Sequence, residues 1–193
     1  MKHVFIDCGA WKGDSIIAFR SYHKNQELYD IYGFECHPIL KKDLRELQKT
    51  YNFKLIEKAA WDKDETIKMF LGMNDDLTQS SSLFKEKKKY IDKKNPVLVE
   101  SIDFSEWIRS NFSRSDYIIC KMNIEGAEYN ILEKMIKDKT IEYIDVLYIA
   151  WHNHKIKNFP QDKHNKIKNF VDSNLRTFEW GFKNKPGENP FID

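Results

Sequence analysis

Apolar runs of strand length alternate with segments of helical period almost from one end of this 193-residue chain to the other, and that alternation constrains the fold more than any other feature. The runs are "HVFID" (3–7), "DIYGFE" (30–35), "FKLIEKAAW" (53–61), "PVLVESI" (96–102), "DYIICKM" (116–122), "YIDVLYIAW" (143–151) and "LRTFEW" (175–180). "DYIICKM" is apolar almost throughout, as a strand covered on both faces should be. "TIKMFLG" (66–72) reads as an added strand, and the tail after Trp180 as one more.

Between the runs the period changes to that of a helix. Asp14 is placed to cap a helix carrying Ile16, Ile17, Phe19 and Tyr22. Pro38 suits the first helical position of a helix whose Leu40, Leu44 and Leu47 share a face. Asp103 and Glu106 form a capping-box pattern ahead of Phe104, Trp107, Ile108 and Phe112. After Gly126, residues Ala127, Ile131, Leu132, Met135 and Ile136 make one apolar stripe. Pro160 opens a last helix with Ile167, Phe170 and Val171. Strand–helix alternation of this kind predicts an α/β fold: a three-layer sandwich with a mainly parallel sheet and helices on both faces. No repeat and no linker interrupts it, so the expectation is a single domain over residues 1–193, large enough to bury roughly 70% of its unfolded surface.

Composition narrows the function classes. The net charge of +2 gives no global basic field, and no RNA-reading aromatic motif is present, which argues against nucleic acid as a partner. The N-terminal apolar run is cut short by Asp7, so it does not read as a secretory signal, and no run approaches the length of a membrane span. Cys8, Cys36 and Cys120 have no zinc spacing and leave an odd thiol; they read as small buried hydrophobes in a reducing compartment, with the cytoplasm as the expected location.

In a sheet of this type the ligand lies beyond the carboxyl ends of the strands. The chemically suggestive residues fall there: Asp7 to Asp14, Glu35, Ala59 to Trp61, Asn123 to Glu128, and His152. The first loop, "DCGAWKGDS" (7–15), spaces its glycines as D-x-G-x-x-x-G-D, with Trp11 and Lys12 where a dinucleotide fingerprint needs open backbone. Close approach of a pyrophosphate is disfavoured. An adenosyl cofactor without phosphate fits better, and S-adenosylmethionine is one: Glu35 is placed for ribose hydroxyls and the glycine loop for the amino-acid end.

"FIDCGAWKGDS", "YGFECHP", "EKAAW", "SIDFSEWI" and "KMNIEGAEYNIL" occur in order over roughly residues 3–152, and together they resemble the FkbM-type methyltransferases, a class I S-adenosylmethionine-dependent group. The resemblance implies a Rossmann-like sheet of seven strands and O-methylation, often of sugar hydroxyls in glycans. It also implies that Asp7, Gly9, Ala10, Gly13, Asp14 and Ser15 line the methionine end, that Glu35 takes the ribose, and that Ala59, Ala60 and Trp61 lie near the adenine; Cys36, next to Glu35, is counted among the cofactor-binding residues. Asn123 stands where the family usually has aspartate; it still offers hydrogen bonds to the cofactor but cannot act as a carboxylate base.

A hydroxyl acceptor calls for a group to take its proton. His152, at the end of an apolar strand, is the first candidate base, and Glu125 the second, with Asn123 beside them. Glu125 and Glu128 also suit helix capping. Asn123, Glu125 and His152, with His154, are the residue types that would hold a divalent cation if one is used. The lysine-rich loop 74–95 is either a solvated face or a flap over the substrate, with Gln79 to Ser82 as polar contacts, and "KIKNFPQDKHNKIK" (155–168) adds a second basic patch. The leading expectation is an O-methyltransferase acting on a sugar or glycan hydroxyl. The alternatives are an NAD-dependent oxidoreductase on a similar sheet and a non-catalytic module that binds the cofactor or a glycan.

Overall fold

The structure, a computed structural model, describes residues 1–73, 78–181 and 190–191. In chain order its elements are β1 (His3–Cys8), α1 (Asp14–Tyr22), β2 (Tyr29–Phe34), α2 (Lys41–Tyr51), β3 (Lys54–Ile56), β4 (Ala59–Trp61), β5 (Thr66–Met69), β6 (Val97–Asp103), α3 (Phe104–Asn111), β7 (Tyr117–Met122), α4 (Glu128–Asp138), β8 (Val146–Ile149), α5 (Gln161–Asn174) and β9 (Arg176–Glu179). Six strands form one parallel sheet in the order β3-β2-β1-β7-β8-β9. No helix among the described residues is long and apolar enough to cross a membrane.

Strand parity builds the two apolar layers. Val4, Ile6 and Cys8 of β1 face one side and pack with Phe104 and Ile108 of α3, Leu132 and Met135 of α4, and Val171 of α5. Phe5 faces the other side, with Ile16 and Phe19 of α1 and Leu44 of α2. Its ring stacks on Phe19 with centroids 4.1 Å apart. Both faces of the central strands are therefore covered, which is why β7 carries no polar alternation apart from Lys121.

Strand order reverses beside β1: β2 lies on one flank and β7 on the other. The loops leaving β1 and β7 diverge at that switch point and open a crevice at the carboxyl ends.

Four expectations need correction. "FKLIEKAAW" is not one strand; after Ile56 the chain leaves the main sheet, and β4 pairs instead with β6, Ala59 opposite Ser101. Antiparallel β5 completes a separate three-stranded sheet β4-β6-β5, so the main sheet has six strands among the described residues rather than seven. The strand expected in the tail falls outside the described residues. Pro38 starts a turn closed by the Leu40 amide on the His37 carbonyl, and the helix begins only at Lys41. Asp14 is the first helical residue rather than the cap; left-handed Gly13 is the cap. The Asp103 cap holds, its carboxylate accepting the Glu106 amide at 3.0 Å.

Candidate active site

The loop after β1 is shaped by two left-handed glycines. Gly9 has φ +84°, and a Cβ there would lie 2.4 Å from the Asn123 carbonyl, so the two strand ends approach as closely as backbone permits. Gly13 has φ +86°, and its Cβ would collide with Leu47 of α2. Trp11 between them is also left-handed, at φ +50°, a conformation that costs a side-chain-bearing residue about 1–2 kcal/mol. It is held by contacts at both ends: its amide donates to Glu35 Oε2 at 2.9 Å, and its indole Nε1 donates to Thr78 Oγ1 at 2.8 Å.

Beneath the loop lies a buried ion pair. Asp7 of β1 is fully buried opposite Lys121 of β7, and Lys121 Nζ donates to Asp7 Oδ1 at 2.8 Å and to the Gly9 carbonyl at 2.9 Å. Ser15 Oγ donates to the other Asp7 oxygen. Asp7, Ser15 and Lys121 thus pin the shape of the glycine loop from below.

Glu35 follows β2 and is half-buried beside the crevice. Its Oε1 accepts the His37 amide at 2.8 Å and its Oε2 the Trp11 amide at 2.9 Å. Burial raises the carboxyl above its ordinary value, opposed by these two amides and by Lys121. Each oxygen keeps acceptor capacity for a ligand hydroxyl. Cys36 next to it touches Met69 with its sulfur at 3.7 Å, and burial together with Glu35 pushes its thiol far up.

These residues open onto a cavity of about 340 Å³. Gly9, Glu35, Cys36, Ala59, Ala60, Asn123 and Glu125 line it, together with Trp11, Met69, Lys155 and the polar stretch Gln79 to Ser82. Asp7, Ala10, Gly13, Asp14, Ser15, Trp61 and His152 do not. Asp7 and Ser15 are buried beneath the loop and Ala10 and Gly13 within it, Asp14 is exposed, and Trp61 donates its Nε1 to Glu65 while meeting the Phe84 ring edge-on.

The far wall of the cavity is charged. Glu125 is left-handed at φ +53° and is followed by Gly126 at φ +114°. Its Oε2 accepts from Lys87 Nζ at 2.6 Å and its Oε1 from Lys155 Nζ at 2.9 Å, while His152 Nε2 lies 3.5 Å from Oε1. Burial would raise this carboxyl, but His152, Lys87 and Lys155 outweigh it and hold it at about 2. A carboxylate held there is a poor acceptor for a hydroxyl proton at neutral pH. His152 is 4% exposed and stands behind Glu125; its Nδ1 lies 3.2 Å from Glu128 Oε1, which also accepts the His152 amide at 2.8 Å. Both imidazole nitrogens thus face carboxylates. Glu128 Oε2 accepts the Gly126 amide at 2.9 Å, so this side chain caps the turn that leads into its own helix.

The set Asn123, Glu125, His152 and His154 does not gather as a metal centre. No group of three or more His, Cys, Asp or Glu among the described residues is arranged to hold a metal ion. The Glu125 oxygens are engaged by lysines, and His154 is exposed and is not among the residues that line the cavity.

Three contributors escaped the sequence reading. Lys121 carried a signal, since a lysine inside a doubly covered strand must find a buried partner. Lys155 and Lys87 carried none; each is one lysine within a basic run. Lys87 is nevertheless 3% exposed, so the run 85–94 is not simply a solvated face.

The family model of the methyltransferase FkbM domain matches residues 7–183 of the chain. No curated protein and no solved structure gives a significant match.

Proposed function

The chain belongs to the FkbM methyltransferase family, and from that membership and the cavity we propose that it moves the methyl group of S-adenosylmethionine onto a hydroxyl, specifically one on a sugar of a glycan or glycoconjugate. The reading takes residues 1–193 as a single methyltransferase domain working in the cytoplasm, where its free thiols Cys8, Cys36 and Cys120 stay reduced.

The observation that carries the proposal is Glu35. A half-buried carboxylate with one backbone amide on each oxygen, at the end of β2 and beside the glycine loop, is built to accept the paired hydroxyls of a ribose. The cavity volume and its apolar wall of Ala59, Ala60 and Met69 suit an adenine, and Gly9 and Asn123, which approach each other closely, line the part taken by the amino-acid end in this reading. Bulky Trp11 occupies the place a pyrophosphate would need, which disfavours NAD.

When bound, S-adenosylmethionine supplies a methyl group already activated on a sulfonium. The protein's own share is then largely alignment, which contributes up to about 7–11 kcal/mol where two reactants are held in attack geometry. Glu125, kept charged and facing the cavity, accepts a hydrogen bond from the acceptor hydroxyl and orients it, and the proton that the hydroxyl loses as the methyl–oxygen bond forms passes to water. Lys155 and the Gln79 to Ser82 stretch supply donors for neighbouring sugar oxygens. His152, behind Glu125 and Glu128, sets the position of both carboxylates rather than meeting the acceptor.

A thermal-shift titration tests the cofactor. S-adenosylhomocysteine should raise the melting temperature and NAD should leave it unchanged; stabilisation by NAD alone rejects the reading. Methyl transfer to a panel of deoxy sugars and glycan fragments, read by mass spectrometry, tests the acceptor class. Methylation confined to carboxylates or amines would reject the hydroxyl.

A further inference from the structure

The segment that walls the acceptor side of the cavity is fastened to the strand-end turn after β7 by several independent contacts. Lys87 is buried, although Lys85 and Lys88 beside it are exposed. Its Nζ donates to Glu125 Oε2 at 2.6 Å and also to the Ser80 carbonyl, which ties the two ends of the stretch Ser80–Lys87 together. Ser82 Oγ donates to the Glu125 carbonyl at 2.8 Å. The backbone on either side of Lys87 pairs with the segment after β8: the Lys88 amide donates to the Lys155 carbonyl and the Lys157 amide to the Glu86 carbonyl, each at 2.9 Å. A Cβ on Gly126 would come within 3.1 Å of both Phe84 and Ile156, so side chains from these two segments close over the turn.

We propose that Lys87 is a positioning residue for methyl transfer: through its buried pair with Glu125 it fixes the cavity wall Ser80–Leu83 and the left-handed turn Glu125–Gly126 as one unit. The two halves need each other. The turn holds a non-glycine residue at positive φ, which persists only where surrounding contacts over-determine it. The wall has no helix and little strand of its own; a two-bond bridge joins Ser82 to Phe70, and the pair supplies the buried anchor on the Glu125 side. Glu125 is faced by Lys87 from the wall and by Lys155 and His152 from the segment after β8, with His154 and Glu128 beyond His152. Of these cations only Lys87 belongs to the wall, and it is more deeply buried than Lys155. The role assigned to Glu125 toward the acceptor rests on the methyltransferase reading; the clamp itself does not.

The experiment uses the full chain and two readouts. Trypsin reports on the wall directly, because Lys85, Lys88, Lys89, Lys93 and Lys94 lie in or next to it. Calorimetry with S-adenosylhomocysteine reports on the cavity. Lys87→Met should speed cleavage within 85–94 by about 10-fold and weaken the ligand by about 10-fold, since it removes the wall's own cation and leaves the Glu125 charge only partly compensated. Lys87→Arg, which keeps the cation, should bring both back to within about 3-fold of the parent. In the double variant Lys87→Met/Glu125→Gln the binding losses should not add, because one residue acts through the other.

Cleavage at the parent rate in Lys87→Met overturns the clamp. Additive losses in the double variant, or no rescue by arginine, overturn the positioning role. If Lys87→Met does not fold, Glu125→Gln, which keeps shape and acceptor while removing charge, carries the same test: faster cleavage supports the clamp and the parent rate overturns it. Should the parent chain bind no S-adenosylhomocysteine, the cofactor reading fails while the cleavage result still judges the clamp.

Discussion

Lys121 meets Asp7 across two neighbouring strands, whereas Lys87 reaches Glu125 from an irregular segment folded over the end of the sheet. Both pairs are buried lysine–carboxylate contacts near the same cavity. In the first, the parallel register of β1 and β7 sets Asp7 opposite Lys121, both side chains are at most 3% exposed, and the bridge is part of the sheet's interior. In the second, Glu125 is 16% exposed and has Lys155 as a further partner, so loss of Lys87 leaves it partly compensated. The comparison separates a pair that the fold needs from a pair that the site needs.

The sharpest way to break that distinction is Asp7→Ala. It strands Lys121 in a fully covered strand and should cost about 3–5 kcal/mol of stability, with a fall in melting temperature on the order of 10 °C. Urea unfolding measures it; a loss no larger than that of Lys87→Met would erase the difference between the pairs. Next comes Glu35→Ala, which spares both pairs but removes the proposed ribose acceptor. It should weaken S-adenosylhomocysteine binding by about 2–4 kcal/mol while leaving the fold intact, because hydrogen bonds to a charged group are the costly ones to lose. A change under about 3-fold by calorimetry would remove Glu35 from the cofactor site.

Acid probes the second pair through the difference between the parent and Glu125→Gln, because carboxylates elsewhere, such as Glu57, Asp116 and Asp138, are also held down and contribute equally to both. Glu125 is held at about 2, below its ordinary carboxylate value, so its contribution to stability is complete above pH about 4.5 and drains away as pH falls toward 2. The amount at stake is up to about 3 kcal/mol. Denaturation curves between those pH values should be flatter for Glu125→Gln than for the parent, and parallel curves would show that the surrounding cations do not hold the carboxyl down. The smallest effect is expected at the other end of the cavity wall. Trp11→Phe keeps the ring but loses the indole bond to Thr78, worth about 0.5–1.5 kcal/mol. A modest rise in trypsin sensitivity after Lys85 should follow; none would mean that the wall is held at the Lys87 end only.

Much of this architecture could be read from residue order. The period of the apolar residues located the strands and helices that pack on both sheet faces, because burial imposes the same spacing wherever such an element forms. The end of β2 put Glu35 at the cavity without any knowledge of its neighbours. What the residue order did not show shares a cause as well. "FKLIEKAAW" is apolar enough for one strand, yet only the partner β6 explains why the chain changes sheets after Ile56. His152 looked like a base because it ends an apolar strand; three-dimensional packing placed carboxylates at both its nitrogens. Asp7, Gly13 and Ser15 stand in the right loop but support it from beneath instead of lining the cavity.

Local patterning was enough to determine the layered sheet, the glycine loop and the family, since each follows from short-range spacing of apolar residues, glycines and acids, whereas the strand order that puts the switch point beside β1 came from the structure. Tertiary structure alone decided which charges meet. A lysine's partner depends on chain segments tens of residues away, and nothing in "KEKKKYIDKK" distinguishes Lys87 from its neighbours until the fold buries it against Glu125.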